Sequence, residues 1–229
     1  EEGMTRLREL GGQCDFATEI ALPLPLRVIM SMLGVPTSDY PMMLKLTQEM
    51  FSADDADLGK GDGFAAMAEM ARYFVDVIAD RRANPTDDLA SAIANATPEG
   101  EPLELMAAMG LYVVIASAGH DTTSFAMAGG VEALMRFPDQ WAKLRANPDL
   151  ADNAAHEIVR YTSPVRHFLR HPQVPVEVAG QRFVVGDRIL LCYPIANRDG
   201  AVFDDPDRLD IELHNVSRHV AWGHGQHYC

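Results

Sequence analysis

The residues best suited to chemistry close the chain: Ala221-Trp222-Gly223-His224-Gly225-Gln226-His227-Tyr228-Cys229. Glycines at alternate positions, Gly223 and Gly225, let a backbone take dihedrals closed to other residues and approach a flat group. A single cysteine presented by such a loop can offer its sulfur as a thiolate ligand. The plainer alternative is a surface turn ending in a buried, inert thiol. A third reading is zinc, because His214, His219, His224, His227 and Cys229 put five possible ligands into sixteen residues. Their spacing fits no standard paired-ligand pattern, and only one thiol is present.

Three more groups stand upstream. Ala118-Gly119-His120-Asp121-Thr122-Thr123 interrupts an apolar helical stretch. Gly there costs about 1 kcal/mol relative to Ala, and threonine hydroxyls compete for the carbonyl one turn back, bending or opening the helix. An acid beside an alcohol in a buried helix is expensive unless paired, hydrated or useful; a helix turning amphipathic, or a close crossing at Gly119, is the alternative. Glu157 and Arg160 lie three apart on one helix face. The same spacing recurs at Glu69 and Arg72, where it reads as a surface pair. Arg208, in Phe203-Asp204-Asp205-Pro206-Asp207-Arg208, would join Glu157 and Arg160 in a buried charged triad, or sit in a Pro-bounded acidic turn.

These groups need a scaffold, and helical patterns supply it over the first 160 residues. Pro25 to Met32 predicts a short buried helix stopped by Gly34-Val35-Pro36. Asp39 to Phe51 predicts a second, ended by the acidic loop Ala53 to Gly63. Phe64, Met67, Ala71, Phe74, Val75 and Ile78 form the apolar stripe of a third. Asp87-Asp88 caps a short helix ending near Ala96, and Pro98-Glu99-Gly100 marks a turn. From Pro102 to about Phe137 a long helical segment is apolar nearly all round between Leu103 and Ala118, which predicts a central, buried position. Pro138 to Ala146 and Leu150 to Tyr161 follow as helices. After Pro164 the texture changes: Val174 to Val178, Phe183 to Val185 and Ile189 to Tyr193 predict strands, with hairpin turns at Ala179-Gly180 and Gly186-Asp187. Asn197 to Trp222 predicts an irregular stretch, and a long one inside a compact domain is usually functional. The expected fold class is mainly α with a small β annex.

Bulk properties narrow the function. With 229 residues, 48% hydrophobic and 23% charged, the chain has the composition of a soluble globular protein. A net charge of −14 leaves no general basic surface for nucleic acid or an anionic membrane. Cys14, Cys192 and Cys229 are too scattered for a disulfide scaffold, which predicts a reduced, cytoplasmic protein. The apolar run from Leu105 to Gly119 is too short to span a bilayer.

Taken in order, Ala-Gly-x-Asp-Thr-Thr, Glu-x-x-Arg, Phe-x-x-Pro-x-Arg and Gly-x-Gly-x-His-x-Cys resemble the cytochrome P-450 haem-thiolate monooxygenases, over roughly Ala21 to Cys229. The texture around these motifs is similar to soluble bacterial members acting on terpenes. The resemblance implies a single partial P-450 catalytic domain over 1–229, lacking the family's early helices and the helix after the cysteine loop, and holding haem poorly by itself. It implies haem b (iron protoporphyrin IX) with Cys229 as proximal thiolate, and His227 and Arg170 on the haem propionates. Trp222 stands where the family usually has Phe beside the sulfur, with Gly223 and Gly225 shaping the loop. Asp121 and Thr122 match the acid–alcohol pair that guides protons during O2 activation, and Ala118 and Gly119 the groove where oxygen binds. Glu157, Arg160 and Arg208 match the structural triad. Val114, Ala118, Val165 and Phe168 are substrate-pocket candidates. The implied reaction inserts one oxygen atom from O2 into a small hydrophobic substrate, with electrons from NAD(P)H through a ferredoxin-type redoxin. The alternatives are peroxide use or rearrangement on the same fold, a non-catalytic haem- or zinc-binding module, and a purely structural acidic domain.

Overall fold

Helices dominate the residues described by the computed structural model (2–11, 13–51, 62–98 and 100–229, apart from the side chains of Glu2 and His227), and four short strands make up its sheet structure. The chain divides into two compact units, Glu1–Ser124 and Phe125–Cys229.

The first unit holds α1 (Glu2–Glu9), α2 (Pro23–Met32), α3 (Tyr40–Phe51), α4 (Gly63–Ala83), α5 (Leu89–Ala94), α6 (Leu105–Ala118) and the first turn of α7 (Asp121–Arg136). Local chemistry sets several of these ends. Gly34 closes α2 in the left-handed conformation (φ 68°), and the Val35 N–H reaches back to the Met30 carbonyl at 2.9 Å. The Asp62 carboxylate caps α4 by accepting from the Phe64 and Ala65 N–H groups at 3.1 Å each. Asp88 caps α5 through the Ser91 N–H at 2.7 Å. Most of the loop expected from Ala53 to Gly63, and Glu99 of the expected turn, lie outside the described residues.

The apolar stripe of α4 coincides with the expected one at Phe74 and Ile78 and departs from it in the first turns. Ala66, Met70, Phe74 and Ile78 are buried, one per turn, whereas Phe64 and Met67 are exposed. They meet Met30, Met43, Tyr112 and Ala116 in one core, where unbranched methionines fill gaps between rigid rings. Helix α6 is not buried all round: Ala108, Tyr112 and Ala116 face this core, while Met106, Leu111 and Val114 are exposed. Its packing partners here, α2, α4 and α5, cover one side only.

The long helix expected to Phe137 is two helices. The backbone ladder runs from the Gly119 N–H to the Ile115 carbonyl (3.0 Å) and resumes with the Ser124 N–H on the His120 carbonyl (2.8 Å). Between them the Thr122 and Thr123 hydroxyls take the carbonyls of Ala118 (3.2 Å) and Gly119 (3.4 Å). Gly119 is also a close approach: a Cβ there would lie 2.7 Å from both the Ile115 carbonyl oxygen and Ile29 Cδ1.

In the second unit, α8 (Pro138–Ala146) opens with Pro, whose fixed φ suits a first turn, and α9 (Ala151–Thr162) ends at Ser163 in the left-handed region (φ 42°). The strands are β1 (His167–Arg170), β2 (Val176–Val178), β3 (Gln181–Phe183) and β4 (Ile189–Cys192), followed by α10 (Tyr193–Ala196). β2 and β3 form the expected hairpin, and positive φ at Ala179 (52°) and Gly180 (77°) fits a primed turn. The second expected hairpin does not form. Val184 N–H bonds the Asp187 carboxylate (2.8 Å) and Asp187 N–H the Val184 carbonyl (3.1 Å), a tight local turn that ends β3 at Phe183. β4 pairs instead with β1, His167 opposite Cys192, a strand not foreseen in the sequence. From Asn197 to Trp222 the chain is irregular as expected, with one 3-10 turn at Val216–Arg218. No helix among the described residues is long and apolar enough to cross a membrane.

Candidate functional site

At the break between α6 and α7, His120 is fully buried, and its Nε2 lies 3.2 Å from Asp121 Oδ1 and 3.2 Å from the Thr47 hydroxyl of α3. Its Nδ1 sits 3.1 Å from the Ala116 carbonyl. Desolvation pushes the Asp121 carboxyl above the usual carboxylate range, with His120 pulling the other way. Thr122 follows, half-buried, its hydroxyl on the Ala118 carbonyl. Burial that favours the protonated form of an acid beside a hydroxyl suits that acid to proton transfer. Val114 and Ala118, one turn apart on α6, are both exposed on the face away from the core.

In the second unit, Glu157 and Arg160 are buried on α9 and joined side-on, Nε to Oε2 at 2.7 Å and Nη2 to Oε1 at 2.8 Å. The other guanidinium hydrogens go to the carbonyls of Asn197 (2.7 Å), Pro206 (2.8 Å) and Arg208 (3.1 Å). All five donors of the guanidinium are thereby used. Glu157 Oε1 also accepts from the Asp210 N–H at 2.8 Å. Arg208 enters this cluster through its carbonyl and not, as expected, through its side chain. Its guanidinium pairs instead with Asp139, which lies 2.5 Å away near the surface.

The cysteine loop hangs from the same network. Asn197, fully buried, donates to the Ser163 hydroxyl (2.9 Å) and accepts from the Val220 N–H (2.8 Å). His219 Nδ1 accepts from the Ala221 N–H at 3.2 Å, which places its proton on Nε2, 3.4 Å from His156 Nδ1. Burial, aided by His156 and Arg160, pulls the His219 imidazole down to about 4. Trp222 packs edge-on against both histidines, ring centres 4.8 Å away. Gly223 and Gly225 take positive φ (77° and 78°), and the Cys229 N–H closes the loop on the Trp222 carbonyl at 2.9 Å. Cys229 is a free, exposed thiol.

Beside the loop is a cleft of about 430 Å³, lined by Leu190, Leu191, Tyr193 and Ala196 together with Arg170, Gly223 and His224. Arg170 is exposed on β1, its Nη1 on the Leu169 carbonyl and its guanidinium near the Phe168 ring. An apolar wall with a cation, next to a loop bearing a free thiol, fits a flat apolar group with acidic substituents and a soft metal centre. The His227 side chain lies outside the described residues. Val165 is half-buried and Phe168 exposed. Among the described residues no group of three His, Cys, Asp or Glu side chains is arranged for a metal ion, and His227, one of the five candidate ligands, lies outside that set.

Sequence reasoning named His219 only as a possible zinc ligand and passed over Asn197, Ser163 and Gln140, whose Oε1 accepts from the Ile211 N–H at 3.1 Å. Their signal was faint: Ser163 stands before Pro164 at a helix end, and Asn197 opens the irregular stretch.

No family model matches the chain. Relatives and solved structures do. Cytochrome P450-terp of a Pseudomonas species is 41% identical over 241 residues, covering 100% of this chain and 56% of the relative. Steroid C26-monooxygenase of Mycolicibacterium smegmatis is 38% identical over 224 residues, covering 95% and 55%. The crystal structure of CYP108D1 from Novosphingobium aromaticivorans superposes with a TM-score of 0.89 at 42% identity, covering 100% of this chain and 54% of that one. With helices, annex and loop all inside these matches, the chain matches cytochrome P450s over its whole length and has their fold over the part it spans. It spans about half the length of the curated relatives it matches.

Proposed function

We propose that the chain is part of a haem-thiolate monooxygenase inserting one oxygen atom of O2 into a small hydrophobic, terpene-like substrate. Two electrons come from NAD(P)H through a ferredoxin-type redoxin, and two protons leave the second oxygen atom as water. The observation that carries this reading is Cys229, a free thiol closing a glycine loop anchored to the buried Glu157–Arg160 cluster, in a chain that matches P450s over its whole length. Both compact units fall within single matches, which supports taking them as parts of one catalytic domain.

Haem b, when bound, supplies an iron that activates O2, and thiolate ligation makes that iron more electron-rich. The protein's part is placement and proton handling. Cys229 offers the thiolate, while Gly223 and Gly225 let the backbone come close to the macrocycle. Trp222 keeps an aromatic wall beside the sulfur. Arg170 and His227 bind the propionates, as cations suited to carboxylates. Glu157 and Arg160 hold the irregular stretch, with Arg208 contributing its carbonyl. Asp121 holds a proton and passes it by way of the Thr122 hydroxyl, without admitting bulk water. Ala118 and Gly119, where α6 ends, border the groove for oxygen. Val114, Ala118, Val165 and Phe168 provide apolar surface for substrate. The three free thiols agree with a reducing cytoplasm.

The test is the absorption spectrum of the ferrous–CO form of the full-length protein. A strongly red-shifted Soret band, lost in Cys229→Ala, is expected. A band typical of histidine ligation moves the function to sensing or transport, and a folded protein with no Soret band overturns the haem reading.

A further inference from the structure

His120 has no place in the acid–alcohol pair, yet it is fully buried and committed at both ring nitrogens. A backbone carbonyl only accepts, so the 3.1 Å contact from Nδ1 to the Ala116 carbonyl fixes a proton on Nδ1. The Thr47 hydroxyl, which donates to the Leu44 carbonyl at 2.9 Å, lies 3.2 Å from Nε2 and braces that corner of the ring. Nε2 is left as the one nitrogen that faces Asp121, 3.2 Å from Oδ1. A ring pinned at two corners by α6 and α3 is a rigid mount for a third group, and the group it meets is the carboxyl at the start of α7. Buried polar groups with every contact satisfied fix a single arrangement.

We propose that His120 is the positioning residue for Asp121: with the ring proton on Nδ1, Nε2 accepts one hydrogen bond from the protonated carboxyl at Oδ1, fixing that group's orientation. Oδ2 then remains for proton exchange toward Thr122. This rests on the reading of Asp121 and Thr122 as the proton-delivery pair.

Two measurements on the full-length, haem-loaded protein test it, both on the ferrous–CO form with CO as the probe. Nitrogen NMR of the His120 ring is expected to show Nδ1 protonated, and Asp121→Asn is expected to move the Nε2 resonance while leaving Nδ1 in place. An unprotonated Nδ1, or an Nε2 indifferent to Asp121→Asn, overturns the proposal. The CO stretching frequency reports polar groups facing the ligand. It is expected to shift in His120→Leu and to return toward the parent value in His120→Gln, whose amide oxygen can accept at the place of Nε2. No shift in His120→Leu, or no recovery in His120→Gln with the Soret band retained, overturns it too. A parent protein without a thiolate-type Soret band instead removes the reading of the site as a haem-thiolate centre. Ring NMR on the folded protein then still decides the His120–Asp121 link.

Discussion

Glu157 and Arg160 meet side-on through two hydrogen bonds of 2.7 and 2.8 Å, with neither side chain exposed to solvent by more than 1%. Removing charge from water on this scale is costly, and the pair alone does not repay it. The return comes from the three carbonyls Arg160 gathers from residues 197, 206 and 208. The pair acts as a clamp on a segment that has little secondary structure of its own.

Removing one partner should therefore be severe. Arg160→Met is expected to cost roughly 3–5 kcal/mol, the usual penalty for a buried charge left unpaired. Arg208→Ala removes a half-exposed pair with Asp139 and should cost about 1 kcal/mol or less. Urea midpoints of the two variants compare them directly. Equal losses would show that the Arg208 side chain belongs to the clamp after all.

Two glycines on α6 and at its end make an opposite pair. At Gly110 an added Cβ meets nothing within 4 Å, so Gly110→Ala should gain about 0.5–1 kcal/mol from chain entropy. At Gly119 the same carbon would sit 2.7 Å from a carbonyl oxygen and from Ile29, and Gly119→Ala should lose about 1–3 kcal/mol. Thermal melting should move the two variants in opposite directions, and a melting rise in Gly119→Ala removes the close-approach argument.

His219 should make the fold acid-sensitive. Its imidazole is held down at about 4 in the folded protein against the ordinary 6.5. Between those values the unfolded chain binds the extra proton, so stability is complete above about pH 6.5 and declines as pH falls toward 4. Linkage puts the loss at roughly 2–3 kcal/mol. His219→Asn keeps an acceptor for the Ala221 N–H but does not titrate. It should flatten the dependence of the urea midpoint on pH across that window, and an unchanged slope would assign the acid sensitivity elsewhere.

Two phenylalanines of the expected α4 stripe end in opposite environments. Phe74 is fully buried against Tyr112, and Phe74→Ala should cost roughly 3–5 kcal/mol. Phe64 is 82% exposed, and Phe64→Ala should stay within about 0.5 kcal/mol of the parent. Chemical denaturation of both variants checks the phase.

That helix shows what the sequence could and could not convey. Its existence followed from apolar period and caps, but a helix rich in Ala and Met offers more than one apolar face. Which face is buried depends on partners such as Met30, Met43 and Tyr112 that lie far along the chain. The same limit applies to β1: His167-Phe168-Leu169-Arg170 is exposed throughout, so no burial alternation announces it. Its partner β4 is set by the local turn at Val184–Asp187, which frees β4 from β3. At the site, Glu157 and Arg160 were legible because two charges one turn apart announce themselves, as was the Gly119-to-Thr123 interruption. The direction of the Arg208 side chain was not, since only the folded arrangement brings Asp139 within its reach.

The stretch from Asp210 to Ala221 has one more consequence. Its backbone N–H groups at 210, 211, 220 and 221 are satisfied by the side chains of Glu157, Gln140, Asn197 and His219. Those four side chains do the work that a neighbouring strand does in a sheet. A sheet accepts almost any residue as a pairing partner, because the pairing is made by backbone. Here each bond depends on the identity of one side chain, and for Asp210 and Ile211 that side chain lies more than fifty positions away in sequence. Tolerance to substitution is thus inverted: the irregular segment can vary at many of its own exposed positions, while its shape is inherited from Gln140, Glu157 and Asn197.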